Sequence, residues 1–442
     1  MKTLTILFVT VIMMGVGCSK NEDSGNNPDK PDKPSPLPDL PDPDDVCSCM
    51  DDIIFMQYCY DNFDVNKDGK VSVIEANAAR KIDINSECAS VKGIERFPNI
   101  EILSLNGSSI TELDLRYNLK LKSLSCQDRQ LTTVLLPNTL MAIAFNGCSS
   151  LTEIHLPDNL TSIGESAFYD CSSLTEIHLP DNLTSIGESA FYDCSSLTEI
   201  HLPASLTSIG ESAFRGCSSL TEINFPASLT SIGKYTFYDC SSLAEIHLPD
   251  NLTSIGEGAF RGCSSLTGIH LPDNLTSIGG AAFSVCSSLT EIHLPDNLTS
   301  IGRAAFSGCS SLTEINLPAN LTLIGDHAFA DCSSLTEIHL PANLTLIEDQ
   351  AFAYCSSLTE IHLPASLTSI GGYAFDQCTS LMKVMCYALT PPTISGRFLF
   401  GFAHSGHLLY NRSENLYVPA ESIQAYKESP WASDFKNILP IE

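Results

Sequence analysis

The chain has 442 residues and a formal net charge of −29, from 52 acidic and 23 basic residues. Its hydrophobic content of 43% is that of an ordered protein and excludes an intrinsically disordered one. Nucleic acids and anionic membrane surfaces attract proteins through basic patches, so the charge excludes both as partners of this chain.

Residues 1–18 have the features of an export leader. One Lys precedes an apolar run that is too short to span a membrane, which is typical of a secretory signal. Gly15-Val16-Gly17-Cys18 resembles the lipobox of bacterial lipoproteins, although Gly15 stands where Leu is most common. We predict lipidation of Cys18 as the only membrane attachment; plain secretion and an uncleaved leader are the alternatives.

Residues 19–46 are predicted to be a disordered linker. The first of them, Ser-Lys-Asn-Glu-Asp, resembles the acidic signal that sends lipoproteins of Bacteroidetes-type bacteria to the outer face of the outer membrane. The alternative is that they merely begin a polar linker. Further on, Pro alternates with Asp and Lys, which favours an extended polyproline II stalk.

Residues 64–75 match the twelve-residue EF-hand loop position by position. Oxygen-bearing side chains stand at positions one, three, five, nine and twelve, and Gly69 permits the sharp turn at position six. A hard cation such as Ca²⁺ requires this many oxygens on a flexible loop, whereas Mg²⁺ fits poorly. The predicted ligands of one Ca²⁺ are Asp64, Asn66, Asp68, Lys70 through its carbonyl, Ser72 and Glu75.

The calcium loop lies within a predicted N-terminal cap, residues 47–90. Residues 51–63 are expected to form the entering helix and residues 75–82 the exiting helix. Because only one loop is present, a structural clamp is favoured over a calcium sensor. The cap could also contain disulfide bonds whose pairing the sequence does not determine, among Cys47, Cys49, Cys59 and Cys88.

A repeat of 23 residues organises most of the chain. Residues 148–170 and 171–193 are identical, and a Cys recurs every 23 residues from Cys148 to Cys378. Such self-similarity predicts a solenoid, in which each turn buries its apolar face against its neighbours. In one turn, residues 174–179 and 183–186 are expected to be strands and residues 188–191 a short helical turn. The Cys is predicted to be a small buried thiol in the core.

The repeat Ser-Ser-Leu-Thr-Glu-Ile-His-Leu-Pro-Asp-Asn-Leu-Thr-Ser-Ile-Gly-Glu-Ser-Ala-Phe resembles the leucine-rich repeat of the BspA-like family of bacterial surface proteins. Residues 416–427, with residues 431–441, are similar to that family's C-terminal segment. The resemblance implies a right-handed leucine-rich repeat solenoid of parallel strands and short helical turns over residues 91–380. It also implies an α+β C-terminal cap over residues 381–442 and a cell-surface protein that binds host proteins, other cells or matrix. We expect the chain to be a monomer.

The outward strand positions form the candidate binding face, because a Glu and a His recur there on successive turns. We expect a solvated face that binds a protein. Stacked strands offer no closed ligand set, which argues against metal binding by the His row. Catalysis is not predicted, because a catalytic site needs unlike residues in one unique geometry. The face comprises Glu153, His155, Glu176, His178, Glu199, His201, Glu245, His247, Glu291, His293, Glu337, His339, Glu360 and His362.

Two other functions stay open at this stage. The chain could be a glycan-binding accessory protein of a surface uptake system, or a passive spacer whose repeat number sets its length. Glycan-binding solenoids usually need exposed aromatic rings. Tyr169, Tyr192 and Tyr238 are the only aromatic residues repeated at one exposed position, which favours a protein partner over a sugar.

Overall fold

The computed structural model describes residues 36–395, residue 399 and residues 413–441. The predicted leader, Cys18 and most of the predicted linker therefore lie outside the described residues. The chain divides into two compact units, residues 1–38 and residues 39–442, and the fold described below is that of the second. Among the described residues, no helix is both long enough and apolar enough to cross a membrane.

Two short helices flank the predicted calcium loop. Helix α1 (Ile53–Phe63) begins at Asp52, whose carboxylate accepts hydrogen bonds from the first free backbone N–H groups of the helix. Helix α2 (Val73–Ala78) begins at Ser72, which forms a reciprocal capping box with Glu75. The entering helix is thus confirmed. Single turns of 3-10 helix lie at Val46–Cys49 and Ile94–Arg96.

The exiting helix is shorter than predicted, because it ends at Ala78 rather than at residue 82. The next residues, Lys81–Ile84, form a strand that pairs in parallel with Ile102–Asn106. Ile82 and Ile84 are buried in that strand, so tertiary pairing outweighs the helical propensity of the segment. The sheet of the solenoid therefore begins inside the range assigned to the cap.

The first strand ladder runs through the whole solenoid as four consecutive parallel sheets of four, three, three and five strands. Like residues lie side by side in it, as Ser185 does with Ser208. Its strands are Lys81–Ile84, Ile102–Asn106, Ser123–Gln127, Ala142–Ala144, Ser162–Ile163, Ser185–Ile186, Ser208–Ile209, Ser231–Ile232, Ser254–Ile255, Ser277–Ile278, Ser300–Ile301, Leu323–Ile324, Leu346–Ile347, Ser369–Gly371 and Thr393–Ser395.

The second strand ladder carries the predicted binding face and is also parallel throughout. Isolated bridges join Asn316 to His293 and to His339 where no full strand forms. Its strands are Glu112–Asp114, Thr133–Leu135, Glu153–His155, Glu176–His178, Glu222–Asn224, Glu245–His247, Gly268–His270, Glu291–His293, Glu360–Leu363, Lys383–Cys386, Ser413–Val418 and Phe435–Pro440.

The core between the two ladders is a set of columns with one side chain per turn. The Phe column runs from Phe145 to Phe375, and adjacent rings lie 5.2–5.8 Å apart with interplanar angles of 2–17°. Leu, Ile, Ala and Cys columns are buried beside it. Each fully buried Leu, Ile or Phe contributes roughly 1.5–3 kcal/mol, so stacked turns are stable where one turn alone is not.

The prediction of buried ladder thiols is confirmed, and the structure shows what the thiols do. In Cys171 and its later copies, Sγ donates to the carbonyl of the Phe one turn earlier, at 3.1–3.3 Å. All seventeen described cysteines are free thiols, including the four of the cap. Burial raises the pKa of the Cys309 thiol to about 12, so this thiol is protonated at neutral pH.

The predicted helical turn at residues 188–191 is wrong, because the structure has a run of tight turns there. Ser189 and Asp193 take left-handed conformations with φ of 51° and 54°. The amides of Ser189, Phe191 and Asp193 donate to carbonyls of the following turn at 2.7–2.9 Å. These donors are therefore committed to the neighbouring turn and cannot form the i to i−4 bonds of a helix.

Val285 occupies the left-handed position of its turn, with φ of 61°. A β-branched residue is an outlier in this conformation, whereas Asn, Asp and Gly tolerate it. Changing Val285 to Asn is expected to raise the free energy of unfolding by about 1 kcal/mol. The reciprocal change of Asp170, which has φ of 56°, to Val should lower it by a similar amount. Urea unfolding of both variants measures this, and equal stability of the two would contradict it.

The C-terminal cap is α+β, as predicted. Its two strands extend the second ladder, and helix α3 (Ile423–Lys427) lies between them with 3-10 turns at Ala420–Ser422 and Pro430–Ser433. Trp431 is fully buried, and its Nε1 donates to the carbonyl of Pro392 at 2.8 Å. The cap thereby covers the apolar end of the last turn.

Candidate functional site

The strand face consists of the outward side chains of the second ladder. Glu153 lies beside Glu176 in register, and His155 lies beside His178 with ring centroids 6.3 Å apart. The buried Ile between each Glu and His holds both side chains outward. Strand alternation therefore produces this surface on turn after turn, without any turn being unique.

Within one strand, the Glu and the His are close enough to form an ion pair when the His is protonated. Of the seven predicted pairs, the separation is at most 4.0 Å in five and ranges from 3.0 to 4.0 Å. No such contact joins Glu199 to His201 or Glu291 to His293 in the described structure. Glu360 is also 3.4 Å from Lys383 of the next turn. The residues of all seven pairs are exposed except the half-exposed Glu360.

One group on this face brings metal-type ligands together. The donor atoms of Glu222, Glu245 and His247 lie within 4.8 Å of one another, and among the described residues no other trio of His, Cys, Asp or Glu does so. All three side chains are exposed. Three ligands from two neighbouring strands leave the group open to water on one side. This trio is therefore exposed to solvent and is not a closed ligand set.

The predicted calcium loop folds with its oxygen-bearing side chains turned inward. Asp64 accepts from the amide of Gly69 at 2.9 Å, and Asn66 accepts from the amide of Asp68 at 2.9 Å. Glu75 reaches back across the loop and accepts from the amide of Val65 at 2.9 Å. Gly69 has φ of 82°, so the sharp turn at position six requires glycine.

This donor set fits Ca²⁺ in chemistry and in order along the loop. Asp64, Asn66, Asp68 and Glu75 would supply side-chain oxygens, and Ser72 would supply its hydroxyl. The ammonium group of Lys70 forms an ion pair with Asp42 at 2.9 Å, so only the carbonyl of this residue is suited to the metal. The bound ion would add a centre of positive charge that links the two helices.

A buried carboxylate that is not among the sequence-predicted residues supports this loop. Asp45 lies in the range assigned to the linker, yet only 6% of its surface is exposed. It accepts hydrogen bonds from the amide of Val71 at 3.1 Å and from the hydroxyl of Tyr60 at 2.7 Å. The amide of Val46 also donates to the carbonyl of Val71 at 2.9 Å. The end of the linker therefore packs on the loop, although a string of Pro and Asp gives no sign of it.

Two stacked ladders with repeated columns of Leu, Ile and Phe define a leucine-rich repeat solenoid. The chain belongs to the BspA type leucine rich repeat family, whose profile matches residues 138–267 and 253–382, together more than half of the chain. Proteins of this family are bacterial cell-surface proteins, and their repeats generally serve as protein-binding scaffolds rather than as enzymes.

Solved structures of other leucine-rich repeat proteins are similar to this chain. One from Bacteroides ovatus is 27% identical over 69% of this chain and 88% of its own, with a TM-score of 0.46. A leucine rich cell surface protein from Faecalibacterium prausnitzii is 26% identical over 67% of this chain and 86% of its own, with a TM-score of 0.43. No curated protein is similar enough to match.

Proposed function

We propose that this chain is an exported lipoprotein whose repeats bind a protein on host cells, matrix or other bacteria. Lipidation at Cys18 would anchor it to the outer membrane, and the proline-rich linker would hold the repeats outward. The binding proposal rests on the strand face, where exposed Glu and His side chains recur in register over many turns. A broad surface without a unique constellation suits recognition rather than catalysis.

The charge of the strand face indicates its kind of partner. Along the ladder, Glu side chains repeat at about 4.8 Å, the spacing of neighbouring strands. Glu153 and Glu176 are exposed, and each lies within 4.0 Å of a His that is a cation only when it is protonated. A basic protein surface would relieve this repulsion, and it would be attracted over a distance of about 10 Å at moderate salt. The ligand of the strand face is therefore a protein with a positive patch.

A binding screen tests this function directly. The full-length chain is immobilised and exposed to matrix proteins and to polysaccharides, and a strand-face variant is compared with a control of equal charge. The strand-face variant changes four Glu to Gln at positions 153, 176, 245 and 337. The control makes the same change in the turns at positions 165, 188, 211 and 257.

We expect a protein ligand whose affinity drops about tenfold or more in the strand-face variant and stays unchanged in the control. An equal loss of affinity in both variants would show that binding depends on the total charge of the chain and not on the strand face. Binding of polysaccharides alone would replace the proposal with the glycan-binding function, and binding of neither class would leave a spacer.

Calcium is part of the same proposal, as a structural clamp of the cap. Chelation with EDTA should lower the unfolding temperature, because an ion that binds only the folded state at a hundred times its dissociation constant stabilises it by about 2.7 kcal/mol. Changing Glu75 to Gln should abolish the response to added Ca²⁺. The response is read as a calcium-dependent shift in thermal unfolding.

A change of Asp61 to Asn serves as the matched control, because this exposed residue of α1 lies outside the loop and hydrogen-bonds Gln57. It should leave the calcium response intact. An unfolding temperature that is the same in EDTA and in millimolar Ca²⁺ would contradict the clamp.

A further inference from the structure

A second surface of the solenoid is chemically unlike the strand face. On five consecutive turns, the residue after the buried Phe forms a column, which we call the Tyr/Arg column: Tyr169, Tyr192, Arg215, Tyr238 and Arg261. The rings of Tyr169 and Tyr192 stack at 4.7 Å. The guanidinium of Arg215 lies between two rings, 5.3 Å from Tyr192 and 4.4 Å from Tyr238. Arg261 lies 5.2 Å from the ring of Tyr238.

The distribution of basic residues sets this region apart from the rest of the repeats. Between residues 138 and 382 only four residues are Lys or Arg, and all four lie in the turns between the first ladder and the next Cys. None of the four forms an ion pair within 4.0 Å or a side-chain hydrogen bond among the described residues. These residues are Arg215, Lys234, Arg261 and Arg303.

Unpaired cations are unexpected in so acidic a chain. Six basic residues elsewhere in the described structure do form ion pairs with carboxylates. The guanidinium groups of Arg215 and Arg261 are instead held by aromatic rings, which favours a fixed orientation. A guanidinium whose face is covered keeps the N–H groups of its edge available, and a carboxylate can accept two of them at once.

The spacing of the two arginines fits an extended peptide. Arg215 and Arg261 are two turns apart, which corresponds to about 9.6 Å at the strand spacing of about 4.8 Å. In an extended or polyproline II chain, three residues span about 9–10 Å. Carboxylates three residues apart on one ligand strand would therefore reach both arginines.

The surroundings favour a ligand with few, well-placed charges. Asp193 and Asp239 follow Tyr192 and Tyr238 in the sequence, so carboxylates flank the column. A dense polyanion would be repelled by them. The faces of Tyr192 and Tyr238 are covered within the stack, so a sugar ring cannot lie flat on them. Tyr and Arg, which form this partly exposed column, are enriched in protein-binding hot spots.

We propose that the Tyr/Arg column binds an extended acidic peptide segment of a partner protein, with carboxylates three residues apart held by Arg215 and Arg261. This site shares no residue with the strand face and does not depend on it. It takes an acidic ligand, whereas the strand face takes a basic one. The protein would thus offer two surfaces of opposite preference.

The test uses fluorescence anisotropy with the full-length chain and the labelled peptide (Asp-Pro-Ala)4 as the probe. Two control peptides accompany it: (Asn-Pro-Ala)4, which is uncharged, and a peptide of the same composition whose four Asp residues are consecutive. The double variant R215Q/R261Q is compared with K120Q/R129Q, which removes the same charge at exposed residues outside the column. Circular dichroism checks that both variants are folded.

We expect the spaced acidic peptide to bind more tightly than either control peptide. The double variant R215Q/R261Q should lower the affinity for this peptide about tenfold or more, because charge-assisted hydrogen bonds are lost. K120Q/R129Q should leave the affinity unchanged. Equal binding of the uncharged peptide, or equal loss in both variants, would overturn the proposal. So would polygalacturonate binding that requires the two arginines when the peptide does not bind, because the ligand would then be an anionic glycan.

Discussion

Changing Phe260 to Ala is expected to lower the free energy of unfolding by about 3–5 kcal/mol. The ring is fully buried in the Phe column, 5.5 Å from each of its neighbours, Phe237 and Phe283. Its loss leaves a cavity and removes contacts with two turns at once, and a solenoid holds each turn only through its neighbours. Urea unfolding of the full-length chain, followed by circular dichroism, measures the change.

Phe225 provides a matched control in the adjacent turn. It is only partly buried and meets Phe237 edge-on at 5.6 Å. Leu stands at the equivalent position of other turns, as at Leu202 and Leu248. Changing Phe225 to Leu should therefore cost less than about 1.5 kcal/mol. A loss of similar size in both variants would show that the Phe column has no special role.

Changing Trp431 to Ala is expected to lower the free energy of unfolding by a similar amount, through loss of structure at the C-terminal end. The indole is fully buried, packs edge-on against Tyr426 at 5.6 Å and stacks on Phe435 at 6.1 Å. Truncation of a buried Trp costs about 3–5 kcal/mol, and here it also leaves the carbonyl of Pro392 without its indole donor. The last turns should fray, because the indole packs over the end of the solenoid at Pro392.

Hydrogen exchange locates this effect. In the Trp431 variant, amides of the strands Lys383–Cys386 and Ser413–Val418 should lose protection, while those of α1 should keep it. Changing Leu439, which is 36% exposed on the neighbouring strand, to Ala is the control and should leave protection nearly unchanged. Uniform loss of protection along the chain would contradict a local capping role.

Much of the fold was predictable because the residue types that recur at each position of the repeat indicate which positions are buried and which face outward. A column position that is Phe in eleven successive turns has to be buried, and the residue that alternates with a buried Ile has to face outward. Glu176 and His178 could therefore be placed on one exposed face from the sequence alone. The two strand ladders followed from the same repeat, although some turns form only one full strand, as where isolated bridges join Asn316 to its neighbours.

The wrong or missing predictions concern hydrogen bonds to other segments, which the local sequence does not determine. Residues 188–191 have no proline or bulky branched residue to oppose a helix, but their amides bond to the next turn instead. Residues 75–82 are predicted to form a helix, but residues 81–84 pair as the first strand. Asp45 could not be recognised because its three partners lie 2, 15 and 26 residues away.

Only the Tyr residues of the Tyr/Arg column could be recognised from the sequence. Three Tyr residues recur at one position, and that recurrence marked them as a possible surface feature. Their stacking with Arg215 and Arg261 became clear only from the register of the turns, which places residues 23 apart directly on top of one another. A search for columns of unlike but complementary residues would have found it.

In the core of the solenoid the turns are interchangeable, because each turn is stabilised by the same columns of its neighbours. The most direct test is urea unfolding of a chain that lacks residues 171–193, one full repeat, beside a chain that lacks only residues 171–182. We predict that the first chain stays folded. The slope of its unfolding free energy against urea concentration should be smaller by about one fifteenth, since one of about fifteen turns is gone. The second should lose its cooperative transition, because half a repeat puts the columns out of register. Equal loss of the folded state in both deletion variants would contradict the interchangeability of the turns.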